Sequence, residues 1–258
     1  MPQILLGTVA IEPNRWGLVR DGGDPLIRAS DWLTPAANAG FDGIELWEKH
    51  ATAVDETEVA AILGGPVPIT VFNSYASWED DGDVARDDAV RWVARTGAAG
   101  VKFNVGSDPG AVDDYATRLG HWSNEVPDGV RLICECHFGT VAEDPATAAK
   151  ILETAGTPER TQALVHLGDD PELLRAKFEH HGGRITHVHV NFLDELHAPR
   201  LRDIESDVRT RVDLLRDLGF DGTWTIEFAH GLNTDNDDPA FILDSAANDL
   251  SLLRELLS

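Results

Sequence analysis

The segment AGFDGIELWEKH, residues 39–50, contains the structural unit that the rest of the chain repeats. A glycine typical of a helix end is followed by a short turn, an apolar run typical of a strand, and a glutamate where that run stops. The segment LGFDGTWTIEFAH, residues 218–230, has the same order. Any helix-to-strand turn favours Gly-x-Asp-Gly, so this similarity alone does not establish a repeat. It does place Glu45 and Glu227 at equivalent points of two such units.

The same alternation extends along the whole chain. Short β-like runs occupy residues 3–9, 42–47, 67–72, 100–105, 130–136, 161–167, 184–190 and 222–228. Between them lie segments with the apolar spacing of amphipathic helices, such as 83–97 and 204–219. This pattern predicts an α/β fold with one domain over residues 1–258, a (β/α)8 TIM barrel, for which about 250 residues is the usual length.

Charge and cysteine content restrict the class of function. With 45 acidic and 21 basic residues, the formal net charge is −24, which repels phosphate backbones and argues against a nucleic-acid partner. The acidic, lysine-poor composition fits either a halophilic, high-salt cytoplasm, which we favour, or an ordinary acidic protein. We expect neither a membrane span nor a secretory signal. Cys134 and Cys136 are poorly spaced for a disulfide, so we expect a reduced, cytoplasmic setting.

Strand alternation separates residues that face the barrel interior from those that face the helices. Active sites of such barrels lie at the carboxyl ends of the strands. Cys134 and Cys136 share one face and are expected to pack under the helices as small apolar groups, while Glu135 and His137 face the mouth. The other polar residues at inward positions are Glu45, Lys102, Asn104, His166, His187, His189, Asn191 and Glu227.

This convergence of ionisable residues predicts a metal site, because burying them without compensation is very costly. The expected ligands are Glu135, His166, His189 and Glu227. Two carboxylates and two imidazoles suit manganese, iron or zinc better than magnesium or calcium. Simpler roles stay open. A lone histidine such as His166 is often a satisfied core residue, Lys102 can extend from an exposed strand end, and Glu45 can pair with Lys102.

With these strand ends assigned, the chain resembles the xylose isomerase-like TIM-barrel family of sugar isomerases, epimerases and related lyases. The resemblance covers essentially the whole chain and rests on GFDGIEL (40–46), CECH (134–137), THVHVNF (186–192) and TIE (225–227). It implies one divalent ion at the ligands named above, Mn²⁺ first, with Zn²⁺, Fe²⁺ or Co²⁺ as alternatives. The family usually has an aspartate at the end of the sixth strand. This chain has His166 there and Asp169 three residues later, so either can be the ligand, and we favour His166.

The resemblance and the site chemistry imply a sugar or polyol substrate and proton abstraction next to a carbonyl, through a metal-stabilised enediolate. In an isomerase or epimerase, Glu135 and Glu227 would exchange protons from opposite faces. In a lyase or dehydratase of keto sugars, inosose dehydratase-like or 3-keto-glycoside-cleaving, His137 would remove the proton and a neighbouring substituent would leave. A non-catalytic metal- or sugar-binding barrel is the third hypothesis.

The remaining predicted roles concern contacts with the substrate. Lys102 is a further catalytic candidate. The predicted substrate-binding residues are Glu45, Trp47, Asn104, Asn191 and His230. Neither nucleic acid nor membrane is expected as a partner, and assembly into a homo-oligomer is left open.

Overall fold

A closed barrel of parallel strands forms the framework of the protein. The structure, a computed structural model, describes residues 1–79, 82–193, 197–231 and 237–258. In these ranges the strands follow chain order around the barrel: β1 Ile4–Gly7, β2 Gly43–Trp47, β3 Ile69–Asn73, β4 Gly100–Phe103, β5 Arg131–Glu135, β6 Thr161–His166, β7 Ile185–Val190 and β8 Thr223–Ile226. The predicted α/β class and (β/α)8 TIM-barrel fold are therefore confirmed.

Helices fill the segments between the strands. They are α1 Arg15–Asp21, α2 Ser30–Ala39, α3 Lys49–Thr52, α4 Glu56–Leu63, α5 Asp83–Thr96, α6 Val112–Trp122, α7 Pro145–Ala155, α8 Pro171–His181, α9 Glu205–Asp217 and α10 Pro239–Leu257. The side chains of Asp144 and Asp170 accept hydrogen bonds from backbone amides at the start of α7 and α8, each followed by a proline. Within the described ranges, no helix has the length and apolar character needed to cross a membrane.

The chain forms two compact units. The first unit comprises Met1–Thr70, His166–Gly168 and Val188–Ser258, and the second comprises Val71–Val165 and Asp169–His187. In the first unit, β1 pairs in parallel with both β2 and β8. In the second unit, β4 pairs in parallel with β3 and β5, and β5 pairs with β6. That residues 1–258 act as one domain stays a prediction.

Both cysteines are free and buried, and Cys136 faces helix α8. Its sulfur lies 3.9 Å from Nε2 of His181, so the prediction that this strand face packs under the helices is confirmed. Cys136 is nevertheless more than apolar filler. A hydrogen bond from the Cys134 thiol, helped by His181 and Lys177, holds the pKa of Cys136 well below its usual value in spite of burial.

Asp249, on α10, is a buried acid with an incomplete set of hydrogen bonds. Its Oδ1 accepts a hydrogen bond of 3.0 Å from the Leu201 amide, whereas Oδ2 has no hydrogen-bond partner among the described residues. Burial, with a smaller contribution from the charge of Asp203, raises the pKa of Asp249 to about 7. The folded protein therefore keeps this carboxyl group protonated over a range in which the unfolded chain ionises it.

Asp249→Asn is expected to stabilise the protein increasingly as pH rises. The parent loses stability between the ordinary carboxyl pKa of 3.8 and the folded value of about 7, because the folded state binds the extra proton in that window. The variant lacks this titration, so its gain in unfolding free energy over the parent should grow by ~1–3 kcal/mol from about pH 4 to about pH 8. Urea denaturation at the two pH values measures the gain, and an equal difference at both contradicts the assignment.

Candidate active site

His189, on β7, is the centre of a buried cluster in the first unit. Its Nε2 lies 3.0 and 3.2 Å from the two carboxylate oxygens of Glu45, on β2. Its Nδ1 lies 3.2 Å from Oε1 of Glu227, the residue after β8. Burial disfavours the protonated ring, but the negative charges of Glu227 and Glu45 outweigh burial and hold the pKa of His189 well above its usual value.

Glu45 is also held from the side of β8. Thr225 donates a hydrogen bond of 2.7 Å from Oγ1 to Oε2 of Glu45. Gly7 lies opposite Glu45 in the register of β1 and β2, and a Cβ atom at Gly7 would lie 3.2 Å from Cγ2 of Thr225. Because that separation is tighter than ordinary van der Waals contact, a residue larger than glycine would push Thr225 away from Glu45. The predicted substrate contact Glu45 thus has protein partners at both carboxylate oxygens.

Asn191 and His166 extend the same cluster. Asn191, directly after β7, donates a hydrogen bond of 2.7 Å from Nδ2 to Oε2 of Glu227. His166 ends β6, with its ring centroid 5.8 Å from that of His189 and a ring nitrogen within 4.8 Å of one on His189. At this distance, the ring nitrogens of His166 and His189 could bind the same ion.

Asp169, the alternative to His166, has a different partner. Its Oδ2 forms a 2.7 Å salt bridge with Nζ of Lys177, on α8. Lys177 is buried and also donates to the carbonyl oxygen of Cys136, at 3.5 Å. Asp169 therefore compensates a buried lysine, and His166 as the ligand from this strand stays a prediction.

Lys102 and Glu135 form a buried ion pair in the second unit. Nζ of Lys102 contacts Oε2 of Glu135, and Nδ2 of Asn104 donates to the same oxygen at 3.2 Å. The strand register explains the contact between Asn104 and Glu135: Phe103 pairs with Cys134, so the residues that follow them are neighbours. The side chains of Lys102 and Glu135 are only 2% and 6% exposed, so each charge helps to compensate the other away from water.

Trp47, a predicted substrate-binding residue, is covered by protein, and its contact with substrate remains a prediction. Trp47 ends β2, and its side chain is fully buried. It belongs to an apolar cluster with Val9 and Leu18, against which Phe228 packs. Segments that follow β1 and β8 cover the ring.

The histidines in the strand-end loops have local partners. Nδ1 of His230, in the first unit, lies 3.2 Å from the carbonyl oxygen of Ala198, and its ring meets Phe241 edge to face. In the second unit, the ring of His137 packs at 4.1 Å against that of Phe138, which is largely exposed. Nδ1 of His137 lies 2.6 Å from the Phe138 carbonyl oxygen. The substrate-binding role of His230 and the catalytic role of His137 remain predictions.

A second buried histidine–carboxylate pair, absent from the sequence analysis, lies at the ends of β1 and β2. His50 contacts Thr8 through Nδ1 and Glu12 through Nε2, each at 3.0 Å. The other oxygen of Glu12 accepts hydrogen bonds from the backbone amides of Asn14 and Leu26. Burial opposes ionisation, but the hydrogen bond with His50, together with those from the two amides, outweighs it and keeps the pKa of Glu12 below its usual value. Glu12 thereby fixes the loop that follows β1.

Comparison with solved structures finds barrels of the predicted kind. A 3-keto-D-glucoside 4-epimerase from E. coli superimposes with a TM-score of 0.62 and 14% identity, over 97% of this chain and 100% of that chain. A xylose isomerase domain protein from Alicyclobacillus acidocaldarius gives 0.58 and 15%, over 88% and 95% of the two chains. Endonuclease IV from Thermus thermophilus gives 0.58 and 17%, over 88% and 94%.

At these identities the likeness concerns the fold, and at that level the resemblance to xylose isomerase-like barrels is confirmed. No family model matches the sequence. A search of curated proteins likewise gave no match.

Glu45→Gln is expected to lower the pKa of His189, because it removes one of the two negative charges that favour the protonated ring. Nuclear magnetic resonance titration of the histidine ring signals in metal-free protein measures this pKa. Glu48→Gln is the matched control, since Glu48 is also mostly buried and its ion-pair partner is Lys49. An unchanged His189 pKa in Glu45→Gln would contradict the proposed origin of the shift.

Proposed function

We propose that the protein is a divalent-metal-dependent isomerase or epimerase of a sugar or sugar derivative, acting by proton abstraction next to a carbonyl. The observation that carries this proposal is the buried ring of His189 between the carboxylates of Glu45 and Glu227. Burying such a group of charges is costly, and clusters of this kind occur chiefly where a protein does chemistry or binds an ion. The same fold in a 3-keto-D-glucoside 4-epimerase supports a sugar derivative as the substrate.

The donor set of the first unit fits a divalent ion. Nε2 of His189 is directed to Glu45, which leaves Nδ1, on the side of Glu227, as the ligand nitrogen. Histidines that bind metals commonly donate their other N–H to a carboxylate, which fixes the ring and its tautomer. Glu135 is kept from the sequence analysis as the second carboxylate ligand, and His166 as the second imidazole.

Mn²⁺ is the first candidate for this set of two glutamates and two histidines, with Zn²⁺, Fe²⁺ or Co²⁺ as alternatives. When bound, the ion would polarise the substrate carbonyl and stabilise the negative charge that develops on its oxygen.

In this proposal the two glutamates transfer the proton. Lys102 and Asn104 both donate to Glu135, so they stabilise its negative charge and hold it as a base. Asn191 orients Glu227 through Oε2. If one glutamate removes the proton next to the carbonyl and the other returns a proton to the opposite face, the carbon is inverted. Return of the proton to the neighbouring carbon instead gives isomerisation.

A lyase or dehydratase of keto sugars is the second candidate function. It is favoured by the position of His137, a half-buried imidazole two residues beyond Glu135, whose ring packs against an exposed phenylalanine. His137 would remove the proton next to the keto group, and a substituent would leave from the neighbouring carbon. Product analysis separates this elimination from isomerisation. If no proton of the substrate exchanges with solvent, a non-catalytic binding barrel is favoured instead.

A small molecule, rather than nucleic acid, is the partner that the charge supports. Endonuclease IV has the same fold, but the net charge of −24 opposes the approach of a phosphate backbone. We therefore expect no cleavage of DNA, and we keep the cytoplasmic setting as a proposal.

Glu227→Gln should lose bound metal and activity together while the fold persists, because glutamine keeps the shape of the side chain but removes its charge. Removing a hydrogen-bond partner of a metal ligand typically weakens metal binding by about 10–100-fold. Removing the ligand itself should weaken metal binding at least as much. Elemental analysis of manganese-loaded protein measures the metal. Deuterium incorporation from heavy water into ketoses and 3-keto glycosides measures proton abstraction.

Glu135→Gln should behave in the same way. Cys134→Ala is the matched control, since this buried neighbour on β5 presents a thiol on the other face of the strand and should leave metal content unchanged. Full metal content in Glu227→Gln would show that the ligand assignment is wrong.

A further inference from the structure

Tyr75, which follows β3 in the second unit, has its ring over the buried amine of Lys102. Nζ of Lys102 lies 4.6 Å from the ring centroid, within the range of a cation–π contact. The backbone on each side of Tyr75 is tied to β4. The Ser74 amide donates to the Lys102 carbonyl oxygen at 3.3 Å, and the Asn104 amide donates to the Ala76 carbonyl oxygen at 2.9 Å. These bonds hold the loop, and with it the ring, in position over Lys102.

Tyr75 also remains open to solvent, unlike two tryptophans of the chain. It is 38% exposed, whereas Trp47 and Trp78 are 0% and 2% exposed. An aromatic ring fixed by its backbone and partly open to solvent offers an apolar surface to a ligand at little cost in conformational entropy.

An acceptor that needs a donor lies on Asn104, the residue whose backbone amide bonds to Ala76, directly after Tyr75. Oδ1 of Asn104 is buried and has no hydrogen-bond partner among the described residues, while Nδ2 of the same side chain is bound to Glu135. A buried acceptor without a partner is unfavourable unless a ligand or water completes it. A hydroxyl group is a donor that would do so. Tyr75 therefore offers an apolar surface, and Asn104 offers an acceptor for a hydroxyl group. A sugar ring has both a C–H face and hydroxyl groups.

We infer that Tyr75 is a specificity-determining residue that packs against the C–H face of a ring-closed keto sugar or cyclic keto polyol. This inference rests on the proposed function and deepens it by naming the substrate class. A closed ring presents several C–H groups as one rigid face, which can pack on an aromatic side chain. An open-chain ketose has no such face and loses more conformational freedom when it is ordered. A hydroxyl of the ring-closed substrate donates to Asn104.

Kinetics with two probes test this inference. Methyl 3-keto-D-glucopyranoside has a ring locked by its glycosidic bond, and L-erythrulose is a ketose too short to close a stable ring. In manganese-loaded protein, Tyr75→Leu should raise KM for the locked ring by about 3–10-fold, because the aromatic contact is lost. It should leave kcat for that probe and KM for L-erythrulose unchanged. Tyr75→Phe should restore the parent KM, and deuterium incorporation from heavy water is the assay.

Two further variants keep the result interpretable. Leu63→Ala removes a similarly exposed apolar side chain at the end of α4 and should change neither probe. Tyr75→Met replaces Tyr75→Leu if the latter does not fold by circular dichroism. Equal effects on both probes, no effect on either, or a fall in kcat without a rise in KM would each overturn the inference.

Failure of the proposed function is separable from failure of this inference. If the parent protein exchanges no proton in either probe, the proposed function fails, and binding of methyl 3-keto-D-glucopyranoside is followed instead by saturation-transfer NMR. Transfer that is present in the parent and Tyr75→Phe but lost in Tyr75→Leu supports the role of Tyr75. No binding by the parent, or equal transfer in all three proteins, overturns it.

Discussion

The contact of one buried imidazole with two carboxylates is the interaction on which the rest of the site depends. His189 has no exposure to water, so a positive charge on its ring is tolerated only because Glu45 and Glu227 lie beside it. Other residues serve this arrangement. Thr225 donates to Glu45, and Gly7 leaves the space that Thr225 occupies. Strand ends of the first unit thus keep three ionisable groups in contact, at a cost in stability that a bound ion would offset.

Lysine use separates the chemistry of the interior from that of the surface. The chain has four lysines, and two of them, Lys102 and Lys177, are buried against Glu135 and Asp169. The acidic, lysine-poor composition is therefore a property of the surface, whereas the interior keeps the cations that its carboxylates require. High salt would explain the charge of surface residues, whereas catalysis would explain the buried charged residues of the site. The two explanations concern different residues, and neither depends on the other.

Strand alternation was sufficient to predict the inward position of Glu45, Glu135, His189 and Glu227, because the side of a strand on which a residue lies is a local property. Predicting contacts between strands also requires the strand register. That Asn104 reaches Glu135 follows from the register of β4 and β5, which no single segment specifies. The burial of Trp47 could not be predicted, because the groups that cover its ring come from distant segments. Tyr75 was missed because backbone bonds to β4, rather than its own strand, place it over Lys102.

Calorimetric titration of Mn²⁺ into metal-free protein tests most directly whether the His189 cluster binds a divalent ion. The flanking carboxylates favour a protonated His189 in the absence of metal, and a histidine must lose its proton to become a ligand. Titrations near neutral pH in buffers of different ionisation enthalpy should therefore show the release of about one proton for each ion bound. Tight binding without proton release, or no binding at all, would contradict the account.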